Sequence, residues 1–292
     1  MKILLIGAGG MLGHDVAALL ESKCDLTLSS IDYIDITDEA KVIEVLKREE
    51  WDVVVNTAAY TNVDGAETNE AMAFEVNGEG AGNLARACNA IGAKLIHIST
   101  DFVFDGASSI PYTESSQPAP LSVYGGSKLA GEEAVMREDG DYIIIRTSWL
   151  YGVGGDNFPD KIISLARDRN ILSIIFDQVG TPTHTLDLAE AVWNLIDSKA
   201  DSGIYNFSNE GVASWYDFAY LAVELARKEG IVLKLDTLRP IRTEEYPTAA
   251  KRPAFSVLDK AKYKRATGAA IAHWTKSLGG YMKERWTTKE KP

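Results

Sequence analysis

Lys2–Gly13 reads KILLIGAGGMLG, and the fold turns on these residues. Lys2–Ile6 is a short apolar run, as in a parallel-sheet strand buried on both faces. Gly7, Gly10 and Gly13 follow at once in the spacing G-x-x-G-x-x-G, with Gly9 as an extra. Leu12 occupies the last glycine position of the G-x-G-x-x-G form. Glycines here serve a tight turn, close approach of a pyrophosphate to backbone N–H groups, and close packing of the next helix. The helix predicted over 11–21 aims its N-terminus, with orphan N–H groups and a positive dipole end, at such phosphates. A glycine triplet alone says little. Between a buried strand and an amphipathic helix it predicts a dinucleotide-binding unit.

Moving outward, the pattern repeats. A strand is expected over 26–30, ending at Ser30, where dinucleotide folds usually place an acid against the adenosine ribose hydroxyls. Asp32 and Asp35 lie just beyond, while Thr37 and Asp38 read equally as the N-cap and first turn of EAKVIEVLKREE. DVVVN (52–56) is the next buried strand and delivers Thr57, Ala58, Ala59, Tyr60 and Thr61, small residues that leave room for a ligand at a strand's carboxyl end. A long helix over 70–90 contains Asn77, and KLIHIS (94–99) is a strand in which His97 reads as a packed core histidine. Thr100 then projects its hydroxyl from the sheet's carboxyl end, although a strand-end threonine can equally satisfy nearby backbone. A loop over 106–120, a helix, and the strand YIIIRT (142–147) follow. This alternation calls for an α/β fold with a doubly wound parallel sheet.

That last helix holds LSVYGGSKLAGE (121–132), in which Tyr124 and Lys128 fall one turn apart on one helix face. A free phenol has a pKa of about 10, and an ammonium held beside it favours the phenolate, which would make Tyr124 an acid or base. An isolated Y-x-x-x-K is more often an exposed helix face. The glycine loop upstream shifts that balance.

At 292 residues, 46% hydrophobic and 25% charged, the chain has the composition of an ordinary globular protein with one large core or two unequal lobes. Two cysteines, Cys24 and Cys88, exclude a disulfide framework or cysteine zinc site, and His14, His97, His184 and His273 are scattered, so no metal is expected. The net charge of −12 argues against nucleic acid as the main partner. No signal peptide or long apolar run is seen, so a cytoplasmic location without membrane attachment is the expectation.

Taken together, the glycine pattern, NTAAYTNVDGAE, STDFVFDG, VYGGSKLAGE and RTSWLYG resemble the extended short-chain dehydrogenase/reductase family. QVGTPTHTLDLA (178–189), YNFSNEGVASWYDFA (205–219) and RPIRTEEYPTAAKRPAFSVL (239–258) carry the resemblance nearly to the end of the chain. It implies a Rossmann-type doubly wound sheet over 1–150, joined by part of 180–205, with 151–180 and 206–292 forming mainly a smaller substrate lobe. It implies NADPH or NADH reducing the C4 ketone of a dTDP-sugar, dTDP-4-dehydro-6-deoxy-L-mannose, to dTDP-L-rhamnose, and it allows a homodimer. Thr100, Tyr124 and Lys128 fall on the family's catalytic positions: Tyr124 to protonate the alkoxide, Lys128 to lower its pKa and hold the nicotinamide ribose, Thr100 to hydrogen-bond the same oxygen. Asp101 and Trp149, with Thr100, match positions that meet the sugar. Gly7, Gly10, Met11, Leu12, Gly13, Ser30, Asp35, Ile36, Ala58, Ala59, Tyr60, Thr61, Ile98, Tyr124 and Lys128 match the cofactor side. Arg239, Arg242, Lys251 and Arg252 offer cations for diphosphate oxygens. Two departures stand out: Phe102 replaces a tyrosine of the family's STDYVF, and Ser30 stands where some relatives have an acid, which leaves NADH and NADPH both open. Another nucleotide-sugar reductase or epimerase of the same fold, and a non-catalytic regulatory subunit resembling that of methionine adenosyltransferase, are the alternatives.

Overall fold

The computed structural model describes residues 1–287. The elements run β1 (Lys2–Ile6), α1 (Met11–Leu20), β2 (Asp25–Ser29), α2 (Glu39–Leu46), β3 (Val53–Asn56), α3 (Val63–Ala66), α4 (Glu70–Phe74), α5 (Gly80–Ile91), β4 (Lys94–Thr100), α6 (Val123–Arg137) and β5 (Tyr142–Thr147). After them come β6 (Leu150–Tyr151), α7 (Phe158–Asp168), β7 (Ile171–Ile175), β8 (Val179–Gly180), β9 (Thr183–His184), α8 (Thr185–Asp197), β10 (Gly203–Asn206), β11 (Ala213–Ser214), α9 (Trp215–Lys228), β12 (Thr237–Ile241), α10 (Ala261–Thr267) and α11 (Trp274–Thr287). A six-stranded parallel sheet has the order β10-β5-β4-β3-β1-β2.

Both faces of that sheet are covered, for the reason the apolar runs suggest. Ile3, Leu5, Val53, Val55, Ile143 and Ile145 pack with Leu12 and Val16 of α1 and Leu188, Val192 and Leu195 of α8. Their neighbours Leu4, Ile6, Val54, Leu95 and Ile144 face the other way, against Val42 and Val45 of α2, Leu84 and Cys88 of α5 and Val135 of α6. Truncating one such side chain, as in Leu5→Ala, loses its burial and leaves a cavity, at a cost of about 2–5 kcal/mol. A third cluster lies apart: Tyr151, Phe218, Ala222, Trp274, Leu278 and Met282 bring α7, α9 and α11 together beside the two-stranded β7–β12 sheet.

Most boundaries shift by no more than a residue from the sequence expectation, and two differences bear on the site. β2 ends at Ser29, so Ser30 lies outside the strand, exposed, its carbonyl accepting from Tyr33 N at 3.1 Å and Ile34 N at 3.0 Å. The helix expected over 70–90 is divided by a π-helical turn, Glu75–Glu79, one of the local bulges often found where a helix serves a site. Of the pair Thr37 and Asp38, read as N-cap and first turn, Asp38 is the N-cap of α2: its carboxylate accepts from Lys41 N at 3.0 Å.

Candidate active site

β1 and β3 are neighbours at the sheet's topological switch, where open α/β sheets leave a crevice beyond the strand ends. Gly7 leaves β1 there with φ +82°, and an added Cβ would lie 2.6 Å from Ala58 N, so the turn takes no side chain. A Cβ on Gly13 would sit 2.2 Å from the Gly7 carbonyl oxygen, which fixes how closely α1 packs on the loop. Gly9 has nothing within 4 Å of its Cβ direction, and Gly10 only the Gly7 oxygen at 3.4 Å. No side chain caps α1, whose N-cap is Gly10, so the N–H groups of its first turn have no side-chain acceptor. A diphosphate fits this cradle by charge and by room. Met11 borders it, whereas the Leu12 side chain turns into the core.

The second loop of the crevice is clamped. Asn77, carried by the π turn and buried, accepts from Tyr60 N at 2.9 Å and donates to Tyr60 O at 3.0 Å and Ser127 Oγ at 2.9 Å. Ala58, Ala59 and Tyr60 are half-buried and Thr61 exposed. Farther along, Asp35 is exposed and binds Thr37 through N at 3.0 Å and Oγ1 at 2.7 Å, while the Ile36 side chain packs in the core, where a Cβ on Gly80 would reach it at 2.7 Å.

Thr100, Tyr124 and Lys128 come together where α6 crosses the end of β4. Ser122 caps α6 by accepting from Gly125 N at 3.2 Å. A Cβ on Gly125 would lie 2.3 Å from the Phe102 carbonyl oxygen, and this close approach brings the helix onto the strand end. Lys128 is buried and donates to the Ile98 carbonyl at 2.6 Å. Burial lowers its pKa to about 8, and the Glu132 carboxylate works against that fall. Tyr124 behaves otherwise than its spacing suggests. Burial pushes its phenol up to about 12, the Thr100 hydroxyl hydrogen-bonded to it opposes the rise and the Asp101 charge adds to it, so the lowering expected of the Lys128 ammonium is not realised. The phenol therefore keeps its proton near neutrality, the state a general acid needs. Phe102 packs edge-on to Tyr124, ring centres 5.6 Å apart.

Asp101 is buried, and Thr100 Oγ1 donates to its Oδ1 at 3.1 Å. Its Oδ2 has no hydrogen-bond partner among the described residues, although Ser256 approaches the carboxyl. Burial raises its pKa to about 7. His97 is a core residue held by Asn56 at 3.1 Å, and burial keeps it uncharged.

Trp149 leads from this cluster into the third core region. Its backbone has φ +48°, and its indole stacks on Trp215 with ring centres 3.7 Å apart. Gly180 makes room, since a Cβ there would lie 2.7 Å from the indole. Trp215 in turn walls a cavity of about 620 Å³ with Phe158, Gln178 and Tyr246. Cations line it too. Arg239 and Arg252 of the expected basic block are there, joined by Lys161 and Arg169, which pattern reading missed; Arg242 and Lys251 are exposed and outside the wall. Arg252 pairs with Asp64 of NVDGAE at 2.8 Å.

A parallel doubly wound sheet, a glycine cradle at its switch point and a Tyr-x-x-x-Lys helix against a strand-end threonine together define an oxidoreductase of the Rossmann type. The chain belongs to the family described as RmlD substrate binding domain, which matches residues 1–286. It is 39% identical over 285 residues to the spore coat polysaccharide biosynthesis protein SpsK of Bacillus subtilis, covering 97% of this chain and 98% of that protein. A crystal structure of a dTDP-4-dehydrorhamnose reductase from Clostridium acetobutylicum is similar, with TM-score 0.93 and 38% identity over 98% of this chain and 99% of that one. The dTDP-4-dehydrorhamnose reductase of Bacillus anthracis, in complex with NADP, gives a TM-score of 0.91 and 36% identity over 97% and 100% of the two chains.

Proposed function

We propose that this protein reduces the C4 ketone of dTDP-4-dehydro-6-deoxy-L-mannose to dTDP-L-rhamnose with NADPH or NADH. The observation that carries the reading is the meeting of Tyr124 and Lys128 with Thr100 at the end of β4, in a chain similar to such reductases over its whole length.

The reduced nicotinamide supplies the hydride when bound. Gly7, Gly10 and Gly13 keep the loop close, and the first turn of α1 at Met11 and Leu12 holds the diphosphate. Ala58–Thr61 and Ile98 would border the dinucleotide on the other side, with Ser30, Asp35 and the backbone at Ile36 toward its adenosine end. Tyr124 donates its retained proton to the developing alkoxide, Thr100 hydrogen-bonds the same oxygen, and Lys128 supports the phenol and the nicotinamide ribose. Asp101 and Trp149 meet the sugar. The free Oδ2 of Asp101 suits a sugar hydroxyl, because a buried oxygen without a donor is costly until one arrives.

The cavity beyond Trp149 would take the nucleotide. Its arginines and Lys161 suit diphosphate oxygens, and Phe158 and Trp215 suit a base. In this division residues 1–150, with part of 180–205, bind the dinucleotide, and 151–180 with 206–292 form mainly the substrate lobe. Among the described residues no helix is long and apolar enough to cross a membrane. A cytoplasmic location and a homodimer, which the family resemblance allows, complete the reading. The test is cofactor oxidation at about 340 nm with dTDP-4-dehydrorhamnose against UDP- and GDP-ketosugars. Turnover confined to a UDP- or GDP-sugar would overturn the assignment.

A further inference from the structure

Behind the cluster of Thr100, Tyr124 and Lys128, one buried carboxylate joins the two elements that build it, α6 and β4, to β5. Glu132 lies on α6 one turn beyond Lys128 and is 0% exposed, and Arg146 on β5 is 2% exposed. Arg146 Nη2 donates to Glu132 Oε2 at 2.6 Å and Nε to Oε1 at 2.9 Å, a bidentate pair, and Ser99 Oγ of β4 donates to Oε1 at 2.5 Å. Ser99 directly precedes Thr100 and is the register partner of Arg146. The guanidinium also lies 5.1 Å from the ring centre of Phe104 and reaches the Glu114 carbonyl at 3.4 Å. Stability alone does not account for such a pair, since well-packed apolar residues in place of a buried ion pair are often as stabilising or more so.

We propose that Glu132, Arg146 and Ser99 form a positioning device for the reaction, setting α6 against β4 so that Tyr124 and Lys128 meet Thr100, and holding a negative charge one turn from the Lys128 ammonium. The titratable groups on the elements around Lys128 are Tyr124 and Glu132 on its own helix, His97 on β4 with Asp101 just after it, and Arg146 on β5, and of these Glu132 and His97 interact with it electrostatically. His97 is neutral, and Lys128 itself helps keep it so. Of these groups Glu132 is the one that raises the Lys128 pKa against burial. The proposal rests on Tyr124 and Lys128 being the catalytic pair.

The test is the double variant Glu132→Gln/Arg146→Met, which removes both charges and leaves neither unpaired. Expected are a folded protein, a little-changed KM for the sugar nucleotide, kcat lower by about tenfold or more, and the alkaline limb of kcat moved to lower pH by about half a unit or more. A double variant with wild-type kcat and an unmoved limb overturns the proposal, as does one with a lower melting temperature but the wild-type pH profile. Ser99→Ala, which loosens the carboxylate without removing charge, should lower kcat by about two- to fivefold. Should the double variant not fold, Ser99→Ala decides, and unchanged kcat overturns the device. Tyr124→Phe and Lys128→Met are measured alongside. Full activity in those would sink the catalytic pair itself, an outcome distinct from failure at Glu132.

Discussion

The Lys128 ammonium donates to the Ile98 carbonyl at 2.6 Å, two residues before Thr100 on β4. The helix that carries Tyr124 is thus tied through its own lysine to the strand that carries the threonine. A lysine on an exposed helix face could not be so used, and buried donors seldom go unpaired.

Tyr124→Phe removes the proton donor and keeps the ring against Phe102. We expect kcat to fall by about 10²–10⁴-fold with cofactor affinity unchanged. Lys128→Met should lower kcat and weaken cofactor binding, and the double variant should be little worse than the poorer single one, because the residues act as a unit. Steady-state kinetics at saturating cofactor decide; a Tyr124→Phe enzyme within about threefold of wild type excludes the phenol as acid. An inactive wild type favours the regulatory alternative.

With Lys128 near 8 and Tyr124 near 12, the first charge lost on raising pH is the ammonium. The kcat/KM profile of the free enzyme should therefore fall on the alkaline side near pH 8. Stability should move the other way. The folded state gives up this proton before the unfolded one, whose lysine titrates near 10.5, so unfolding takes up a proton between those values and stability rises with pH. Melting curves of Lys128→Met should lack that rise.

Asp101 supplies the opposite sign. Its folded pKa of about 7 exceeds the ordinary 3.8, so the folded state holds a proton that the unfolded state has lost, and stability falls as pH rises between the two. Asp101→Asn should remove that slope and gain a few kcal/mol on wild type at alkaline relative to acidic pH. Parallel melting curves for the two proteins between pH 4 and 8 would contradict the burial argument.

Gly7 and Gly10 should separate fold from binding. Gly7→Ala forces a side chain into φ +82° and against Ala58 N, at a cost of about 1–3 kcal/mol. Gly10 has φ −81°, so no backbone strain arises there. Gly10→Val should keep the melting temperature while dinucleotide binding collapses, because the branched side chain enters the diphosphate's space. Calorimetry showing wild-type affinity in a folded Gly10→Val protein would make the loop merely structural.

Ser30 lifts the repulsion an acid would exert on a 2′-phosphate, and no basic side chain close in sequence clamps one. We expect both cofactors to be used with a modest NADPH preference, and Ser30→Asp to shift the kcat/KM ratio toward NADH by about tenfold. A strict NADH requirement in the wild type would show the inference to be wrong.

By itself the sequence determined the parallel sheet, because strands buried on both faces are written as unbroken apolar runs such as KILLI and YIIIRT. It determined the glycine turn as well, because Gly7 needs a backbone that side chains resist. At β2 the boundary slipped by one residue; this is one of the sheet's two edge strands, with Leu28 half exposed, and burial marks its end less sharply. Charge gave no way to tell Arg239 and Arg252 from Arg242 and Lys251, and nothing local set Lys161 or Arg169 beside them. Only the packing of α7 and β7 against the C-terminal segment selects those that face one cavity. The Glu132–Arg146 pair and the protonated state of Tyr124 were likewise tertiary decisions. Desolvation depends on everything packed around a group, and a spacing of four residues carries no record of it.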